Sequence, residues 1–417
     1  MRYRAALITT RAVNTASRRL GRGRGTVAGG RAGLRVDPKL LEHLASTRQV
    51  ALVTGTNGKT TTTRLLTVAL ASGGMAVVSN ETGSNMPPGH VAALAADRGA
   101  PRAVLETDEI YLPRVLAATR ATTVVLLNLS RDQLDRTNEV RMVAGRWRAA
   151  LAAAPRTTVV ANADDPLVVW GAGAAARVHW VAAGLGWQLD AAGCPSCEGH
   201  ISFGADGGWA CGSGCGFTRP TPMASLVDDD DGSQPRAVWA DGRSLPIALA
   251  LPGRFNQANA LMAAVAAESM GIDAASALDA MAAVAEVAGR FTSRTVGGVP
   301  ARLMLAKNPA GWGELLHLVA GDTGPIVVSI NARVADGADP SWLWDVPFER
   351  LDGRTVVATG DRCRDLSVRL RYAGVTHTME TDPVAAVRRA APDGVVGGPV
   401  DVIGNYTAFN ELLEARP

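Results

Sequence analysis

The chain of 417 residues is long enough for two or three domains, each with its own core. Apolar residues make up 47% of it and charged residues 19%, which is typical of a globular protein and not of a disordered one. The formal net charge of +3 gives no overall field that would attract nucleic acid, and no apolar stretch reaches the length of a membrane helix. Four of the five cysteines lie within residues 194–215, which favours a metal site in a reducing compartment, so we expect a cytoplasmic protein.

Residues 1–36 form a basic N-terminal arm with nine arginines and no acidic residue. Such a composition occurs in transit peptides and in segments that lie on membrane surfaces. The arm lacks the apolar core of a secretory signal. We expect an ordered arm that packs on the domain that follows it.

The strongest motif of the chain follows an apolar run, residues 50–53, which predicts a buried strand. A strand, a glycine turn and a helix N-terminus form a cradle for phosphate, in which Lys59 supplies positive charge and Thr60 offers a hydroxyl to Mg²⁺. A loop that only reverses the chain is the alternative, and Val53 stands where the general P-loop pattern has glycine. We predict that the motif binds ATP through Gly55, Thr56, Asn57, Gly58, Lys59, Thr60 and Thr61.

Residues 37–154 alternate between apolar strands and helical stretches, as in a parallel α/β sheet. One predicted strand ends in the acidic sequence Glu106-Thr107-Asp108-Glu109. The carboxyl ends of parallel strands border the crevice in which ligands bind. Glu106 is therefore a predicted ligand of Mg²⁺, with an exposed acidic loop as the alternative.

Residues 190–222 interrupt this α/β pattern. Two cysteine pairs bracket a short ribbon, with two residues between the first pair and three between the second. This spacing is typical of a structural zinc site with four thiolate ligands, and free reduced thiols are the alternative. We predict one Zn²⁺ bound by Cys194, Cys197, Cys211 and Cys215.

Residues 291–417 alternate strands and helices again, which predicts a second, smaller α/β domain. Its loop at residues 331–349 carries two tryptophans, a composition typical of an interface or a site. The same loop carries three acids, namely Asp336, Asp339 and Asp345. Capping of tight turns is the alternative role for these acids.

Five segments resemble, in composition and in order, the ATP-binding central domain of the Mur ligases. They are GTNGKTTT at 55–62, LETDE at 105–109, NLSRDQLDR at 128–136, NADDP at 162–166 and LPGRFNQANA at 251–260. Mur ligases activate a carboxylate as an acyl phosphate and then form an amide with an incoming amine. The resemblance implies that Lys59 and Thr60 contact the phosphates and Mg²⁺, and that Glu106 binds Mg²⁺. It also implies that Asn256 lies near the adenine and that Lys307 faces ATP from the C-terminal domain; Arg290, at the predicted hinge, is expected to reach a nucleotide phosphate.

Two features depart from the Mur ligase pattern. Gln133 replaces the family's histidine, and no lysine between Lys59 and Lys307 could be carbamylated as in the peptide-adding members. Whether the site binds a second metal ion is therefore left open. There is also no room before Lys59 for the uridine-nucleotide domain with which most Mur ligases begin.

The zinc ribbon, the missing first domain and the acidic loop resemble the synthetase subunits that amidate lipid II within this family. The resemblance implies that ATP phosphorylates the α-carboxyl of D-glutamate in the stem peptide of lipid II, and that ammonia then gives D-isoglutamine. The ammonia would come from a GatD-like glutaminase partner, to which the C-terminal domain would lend Asp339 or Asp345. The reaction would take place at the inner face of the membrane.

Two other functions are weighed against this one. An amino-acid-adding Mur or folylpolyglutamate-type ligase is disfavoured by the absent lysine and the absent first domain. A zinc-ribbon P-loop protein that binds nucleic acid is disfavoured because residues 194–217 contain no lysine or arginine.

The sequence thus predicts an α/β protein. We expect the basic arm at residues 1–36 and a Mur-ligase-like ATP-binding domain with a parallel sheet at residues 37–290, with the zinc ribbon inserted at residues 190–222. A smaller Rossmann-like α/β domain that binds the partner is expected at residues 291–417.

Overall fold

A computed structural model describes residues 2–19, 26–80, 84–97, 99–131, 140–204, 207–228, 234–287, 290–391 and 398–415. The chain divides into two compact units. The first contains Met1–Ser130 and Asn138–Ala285, and the second contains Arg131–Thr137 and Glu286–Pro417. Within the described ranges, no helix is long and apolar enough to cross a lipid bilayer.

The first unit is a sheet with helices on its faces. Its strands are β1 (Gln49–Thr54), β2 (Val77–Ser79), β3 (Arg102–Glu106), β4 (Thr123–Leu126), β5 (Thr158–Asn162), β6 (Val178–Ala182), β7 (Ile201–Phe203), β8 (Trp209–Cys211), β9 (Ala224–Val227), β10 (Arg236–Trp239) and β11 (Ser244–Pro246). Its helices are α1 (Arg2–Arg19), α2 (Thr26–Val36), α3 (Leu40–Ala45), α4 (Lys59–Ala71), α5 (Pro87–Ala96), α6 (Leu112–Thr119), α7 (Val140–Ala152), α8 (Pro166–Ala172), α9 (Arg254–Ser269) and α10 (Ala274–Ala282), and residues Leu189–Ala191 form a 3-10 turn.

The strand order of the main sheet reverses at β1. In the described part of the unit the main sheet has the order β11-β10-β9-β6-β5-β4-β1-β3-β2. In this spatial order, every pair of neighbouring strands between β9 and β2 is parallel. Strands β10 and β11 add an antiparallel edge next to β9. Strands β3 and β4 are buried along their whole length because helices cover both faces of a parallel sheet. Since β1 has β3 on one side and β4 on the other, the order reverses at β1, which is where ligands bind in such sheets.

The N-terminal arm is a helical hairpin. Helices α1 and α2 pack against each other and against α5. The close approach depends on two glycines of α2: a Cβ on Gly29 would lie 2.0 Å from Oδ1 of Asn14, and one on Gly33 would lie 2.0 Å from Oγ1 of Thr10. The inner face of α1 is therefore fitted to α2 and is not available to a ligand.

The ribbon predicted at residues 190–222 is attached to the sheet by specific contacts. Strands β7 and β8 pair in antiparallel fashion. The indole N–H of Trp209 donates to the backbone oxygen of Ala163 at 3.0 Å, and Nε of Arg219 lies 2.6 Å from Oδ1 of Asp164. Both acceptors follow β5, so the ribbon is anchored beside the carboxyl end of that strand.

The second unit is a smaller α/β sheet. Its strands are β12 (Phe291–Val296), β13 (Val299–Leu305), β14 (Ile326–Ser329), β15 (Val356–Thr359), β16 (His377–Met379) and β17 (Val400–Gly404), and its helices are α11 (Pro309–Val319), α12 (Cys363–Tyr372), α13 (Pro383–Ala390) and α14 (Tyr406–Glu414), with 3-10 turns at Ser341–Asp345 and Phe348–Leu351. The order in the described residues is β12-β13-β17-β14-β15-β16, and only the β12–β13 pair is antiparallel. The predicted fold class, with a Rossmann-like second sheet, is therefore confirmed.

Candidate functional site

The motif predicted to bind phosphate, residues 55–61, begins in the turn between β1 and α4, which we call the phosphate turn. Gly55 has φ +141°, and a Cβ there would lie 2.9 Å from Cβ of Leu127 and 3.0 Å from the backbone of Asn128. Gly58 has φ +85°, and a Cβ there would lie 2.6 Å from Oδ1 of Asn259. Both positions therefore require glycine, because they combine a left-handed backbone with close contacts to the end of β4 and to α9.

Asn128, which follows β4, holds this turn in shape. Its backbone oxygen accepts from N–H of Thr56 at 2.9 Å, and its Oδ1 accepts from N–H of Asn57 at 2.9 Å. Its Nδ2 donates to the oxygen of Asn57 at 3.1 Å. The turn is thus fixed before any ligand binds. Thr60 and Thr61 follow in the first turn of α4, where backbone N–H groups have no acceptor within the helix and suit phosphate oxygens.

Lys59 is the first residue of α4 and is only 9% exposed. Its Nζ lies 2.5 Å from the oxygen of Gly55 and 3.0 Å from that of Thr56. Its third contact is a carboxylate oxygen of Glu109, at 3.1 Å. Lys59 is therefore a nearly buried cation held at the mouth of the turn.

Glu106, the last residue of β3, is a buried carboxylate that is 3% exposed. In the described residues, its Oε1 accepts from Nδ2 of Asn85 at the long distance of 3.5 Å. Its backbone is held firmly: its N–H donates to Asn80 at 2.8 Å, and Nε2 of His90 lies 2.7 Å from its oxygen. A buried carboxylate with such weak compensation fits a cation, and the role of Glu106 as a Mg²⁺ ligand stays a prediction.

The buried ring of His90 is neutral. Desolvation lowers its pKa to about 4, although its hydrogen bond to Glu106 acts in the opposite direction. Because the carbonyl oxygen of Glu106 can only accept, Nε2 carries the proton, and a charged ring would need a second proton on Nδ1. That atom is buried and has no hydrogen-bond partner among the described residues. His90 therefore positions the strand end and does not act as a base.

Asn256, the residue predicted near the adenine, lies in the first turn of α9 and is buried. Its Nδ2 donates to the oxygen of Pro252 at 2.6 Å, which closes the turn before the helix. The neighbouring Asn259 is the residue of this helix that reaches the phosphate turn, through Gly58.

Arg290 and Lys307 belong to the second unit. The backbone oxygen of Arg290 accepts from N–H of Leu305 at 3.0 Å. Nζ of Lys307, just after β13, lies 5.1 Å from the ring centroid of Tyr406. Their roles at the nucleotide stay predictions. Gln133 and the rest of residues 132–139 lie outside the described residues.

The four ribbon cysteines converge, as predicted. Their sulfur atoms all lie within 4.8 Å of one another, with 3.7 Å between Cys194 and Cys215 and 3.4 Å between Cys197 and Cys211. These distances are longer than the S–S bond of a disulfide. They fit a tetrahedral zinc site, in which Zn–S bonds of about 2.3 Å separate the sulfur atoms by roughly 3.8 Å. The cluster can hold a metal ion.

The three acids of the loop at residues 331–349 have different environments. Asp336 is 7% exposed and accepts from N–H and the hydroxyl of Thr407, so it caps α14. Asp339 is fully exposed and accepts from N–H of Ser341 at 2.8 Å, which lowers its pKa. Asp345 ends a 3-10 turn, with a carboxylate oxygen 3.8 Å from the guanidinium of Arg131. Asp336 is thus used by the fold, whereas the other two are accessible.

Glu109, His90 and Asn128 were not assigned roles from the sequence. Glu109 lies in the acidic segment after β3, and Asn128 begins the polar segment after β4. Their positions at strand ends are a signal for proximity to the crevice, but not for the partner of each side chain. His90, in the middle of a helix, gives no such signal.

Comparisons with known proteins agree with this geometry. The family described as Mur ligase middle domain matches residues 53–184, and the family described as MurT ligase C-terminal matches residues 305–409. The chain is 30% identical to the MurT subunit of lipid II isoglutaminyl synthase from Streptococcus pneumoniae, over 94% of this chain and 93% of that protein. The corresponding subunit from Staphylococcus aureus is 28% identical over 99% of this chain and 98% of its own length.

Solved structures support the same fold. A pseudomurein peptide ligase type C from Methanothermus fervidus superposes with a TM-score of 0.65 and 19% identity, over 93% of this chain and 85% of that chain. MurF from Acinetobacter baumannii superposes with a TM-score of 0.62 and 14% identity, over 92% of this chain and 80% of that chain. The chain therefore belongs to the Mur ligase family of ATP-dependent ligases and, within it, to the MurT subunits of lipid II isoglutaminyl synthase.

Proposed function

We propose that this chain is the synthetase subunit that amidates the α-carboxyl of D-glutamate in the stem peptide of lipid II, giving D-isoglutamine. The observation that carries the proposal is the arrangement at the end of β1, where a nearly buried lysine and a buried carboxylate flank a rigid phosphate turn. The names of the relatives supply the substrate class.

Phosphoryl transfer needs positive charge around the γ-phosphate and a fixed geometry. In the proposed mechanism Lys59 supplies one charge, and the first turn of α4 supplies backbone N–H donors. Glu106 and Thr60 would hold Mg²⁺, which neutralises phosphate charge when bound. The weak compensation of the buried Glu106 carboxylate supports this assignment.

The reaction balances in two steps. An oxygen of the substrate carboxylate attacks the γ-phosphorus of ATP and ADP leaves, which gives an acyl phosphate. The nitrogen of ammonia then attacks the acyl carbon, phosphate leaves, and a proton is released to give the amide. In the described residues, Asn256, Arg290 and Lys307 are further candidates for nucleotide contacts, as the family resemblance implies.

We propose that the ammonia comes from a GatD-like glutaminase, since the relatives are named as subunits. Such enzymes need a carboxylate that orients a histidine, and Asp339 or Asp345 would supply it. Their loop adjoins exposed aromatic surface: Trp344 is 54% exposed and Tyr372 is 77% exposed, with ring centroids 5.4 Å apart. Exposed aromatic residues of this kind are typical anchors of protein interfaces.

We further propose that the cysteine cluster binds structural Zn²⁺ and stabilises the ribbon. The proposed reaction uses ATP and a lipid-linked substrate, so it would take place in the cytoplasm, at the inner face of the membrane.

The test compares glutamine with free ammonia as the nitrogen source, with the partner present. Asp339→Asn is expected to reduce glutamine-dependent amidation at least about 100-fold and to leave ammonia-dependent amidation unchanged. Asp345→Asn is the second candidate for the same result. Asp336→Asn is the structural control: it should lower the melting temperature and change both activities in the same proportion.

The outcomes separate the parts of the proposal. If neither Asp339→Asn nor Asp345→Asn affects glutamine use, the shared site is wrong. If the wild-type protein consumes ATP with ammonia but amidates no stem peptide, the proposed substrate is wrong.

A further inference from the structure

The N-terminal hairpin, which consists of α1 and α2, carries a large uncompensated positive charge. Residues 1–36 contain no Asp or Glu. In residues 2–19 and 26–36, seven arginines are exposed, namely Arg2, Arg4, Arg11, Arg18, Arg19, Arg31 and Arg35. No carboxylate of the described residues forms an ion pair with any of them. The proposed ligase chemistry makes no use of this charge.

The stability of the hairpin does not explain all of these arginines. Arg18, Arg19 and Arg35 lie in the last turns of their helices, where positive charge is favourable, but Arg2 and Arg4 do not. The contacts between the helices come from small and polar residues, with Ala6, Thr10 and Asn14 buried on the inner face of α1. The charge is unfavourable at the start of α1, because Arg2 and Arg4 lie at the positive end of the helix dipole and the first turn has no acid. A residue that lowers stability at its position more often serves to bind a ligand than to support the fold.

The outer face of α1 combines charge with exposed apolar surface. Arg4, Arg11 and Arg18 recur every seven residues and therefore share one side of the helix. Nε of Arg11 donates to the oxygen of Ala95 at 2.7 Å, which holds that side chain against α5. Ile8 lies between the arginines and is 68% exposed. A shallow groove beside it is lined by Ala12 and Ala16.

We propose that the N-terminal hairpin docks on an anionic lipid surface. Clustered arginines are attracted to anionic headgroups, and an apolar side chain among them can enter the headgroup region. Nucleic acid is a poorer fit because the outer face of α1 has no aromatic side chain for base stacking; Tyr3 packs on His43, with ring centroids 5.4 Å apart. The inference rests on the charge of the hairpin and not on the proposed function, although docking would bring the site to a lipid-linked substrate.

The experiment measures binding of the full chain to two kinds of vesicle by sedimentation. One kind contains equal parts of phosphatidylglycerol and phosphatidylcholine, and the other contains phosphatidylcholine alone. The test variant replaces four exposed arginines that make no hydrogen bond or ion pair in the described residues, namely Arg4→Gln, Arg19→Gln, Arg31→Gln and Arg35→Gln. The matched control makes the same change at four exposed arginines elsewhere, namely Arg114→Gln, Arg146→Gln, Arg156→Gln and Arg389→Gln.

We expect binding to the anionic vesicles and not to the neutral ones, and we expect added salt to weaken it. The hairpin variant should bind at least about 100-fold more weakly than wild type, since each arginine near an anionic surface contributes several-fold. The control variant should bind as wild type does. Neither ATP nor ammonia is present, so a failed binding test says nothing against the ligase activity.

Three results would overturn the inference. They are equal binding of wild type to both kinds of vesicle, an equal loss of vesicle binding in both variants, and no binding of wild type to the anionic vesicles, with or without tight binding to a DNA duplex. Melting curves of both variants confirm that each is folded at the temperature of the assay.

Discussion

Replacement of Lys59 by methionine tests the central assignment, and the structure shows that it has two separate consequences. It removes the positive charge at the phosphate turn. It also removes the ammonium from beside the carboxylate of Glu109, whose side chain is 9% exposed, while that of Lys59 is 10% exposed. Lys59→Met should therefore lower stability as well as activity.

The two magnitudes can be estimated separately. Loss of one partner from a fully buried ion pair costs about 3–5 kcal/mol, and this pair retains some contact with water, so we expect a loss of about 2 kcal/mol. Loss of one charge that stabilises a transition state reduces the rate on the order of 10³-fold. The effect on activity is thus far larger than partial unfolding would produce.

The assay is a double-mutant cycle with two readouts, the melting temperature and ATP-dependent amidation with ammonia. Glu109→Gln in the background of Lys59→Met removes the second charge, so the double variant should recover most of the stability. It should not recover activity. Lys39→Met is the matched control, because Lys39 is exposed, and it should match wild type in both readouts.

Turnover within a few-fold of wild type in Lys59→Met would refute the role in phosphoryl transfer. Recovery of turnover in the double variant would refute it in another way, because it would show that Lys59 acts only by neutralising Glu109.

The remaining predictions concern pH, the metal and the turn. The pKa of His90 is lowered to about 4, so between pH 6.5 and 4 the unfolded chain binds a proton that the folded chain does not. Its contribution to stability is therefore lost as the pH falls through this window, by roughly 3 kcal/mol, and His90→Gln should remove that loss. Metal analysis should find one Zn²⁺ per chain, which Cys197→Ser should reduce and which Cys363→Ser, outside the cluster, should not. Gly55→Ala should abolish nucleotide binding, whereas Gly99→Ala, at φ +127° with no atom within 4 Å, should cost only backbone strain.

Each of these has a contrary result. If the free energy of unfolding depends on pH equally in wild type and in His90→Gln, His90 is not the buried neutral group. Metal-free protein with four reactive thiols in the ribbon would contradict the zinc site. Equal nucleotide affinity in Gly55→Ala and Gly99→Ala would show that the close contact with β4 does not shape the turn.

The sequence by itself determined the elements whose signals are local. A buried strand, a glycine turn and a helix lie within 23 consecutive residues, because strand β1 begins at Gln49 and α4 ends at Ala71 with the motif between them. The ribbon cysteines were predictable for the same reason, since ligand spacing is a property of a short segment. In the C-terminal region the predicted alternation of strands and helices is present from β13 to α14, because short apolar runs need a buried sheet.

Only the tertiary structure decided which side chains meet. Lys59 contacts Glu109, which is 50 residues away, and the amide of Asn128 holds a turn 71 residues before it. These pairs depend on the strand order, in which β3 and β4 flank β1 although two helices and a strand separate β1 from β3 in the chain. The acids of the loop at residues 331–349 also could not be distinguished from the sequence. Asp336 and Asp339 are three residues apart and chemically identical, yet Asp336 caps α14 and Asp339 is exposed. Whether a carboxylate belongs to the fold or is accessible to a partner depends on which distant backbone lies beside it, and that is a property of packing.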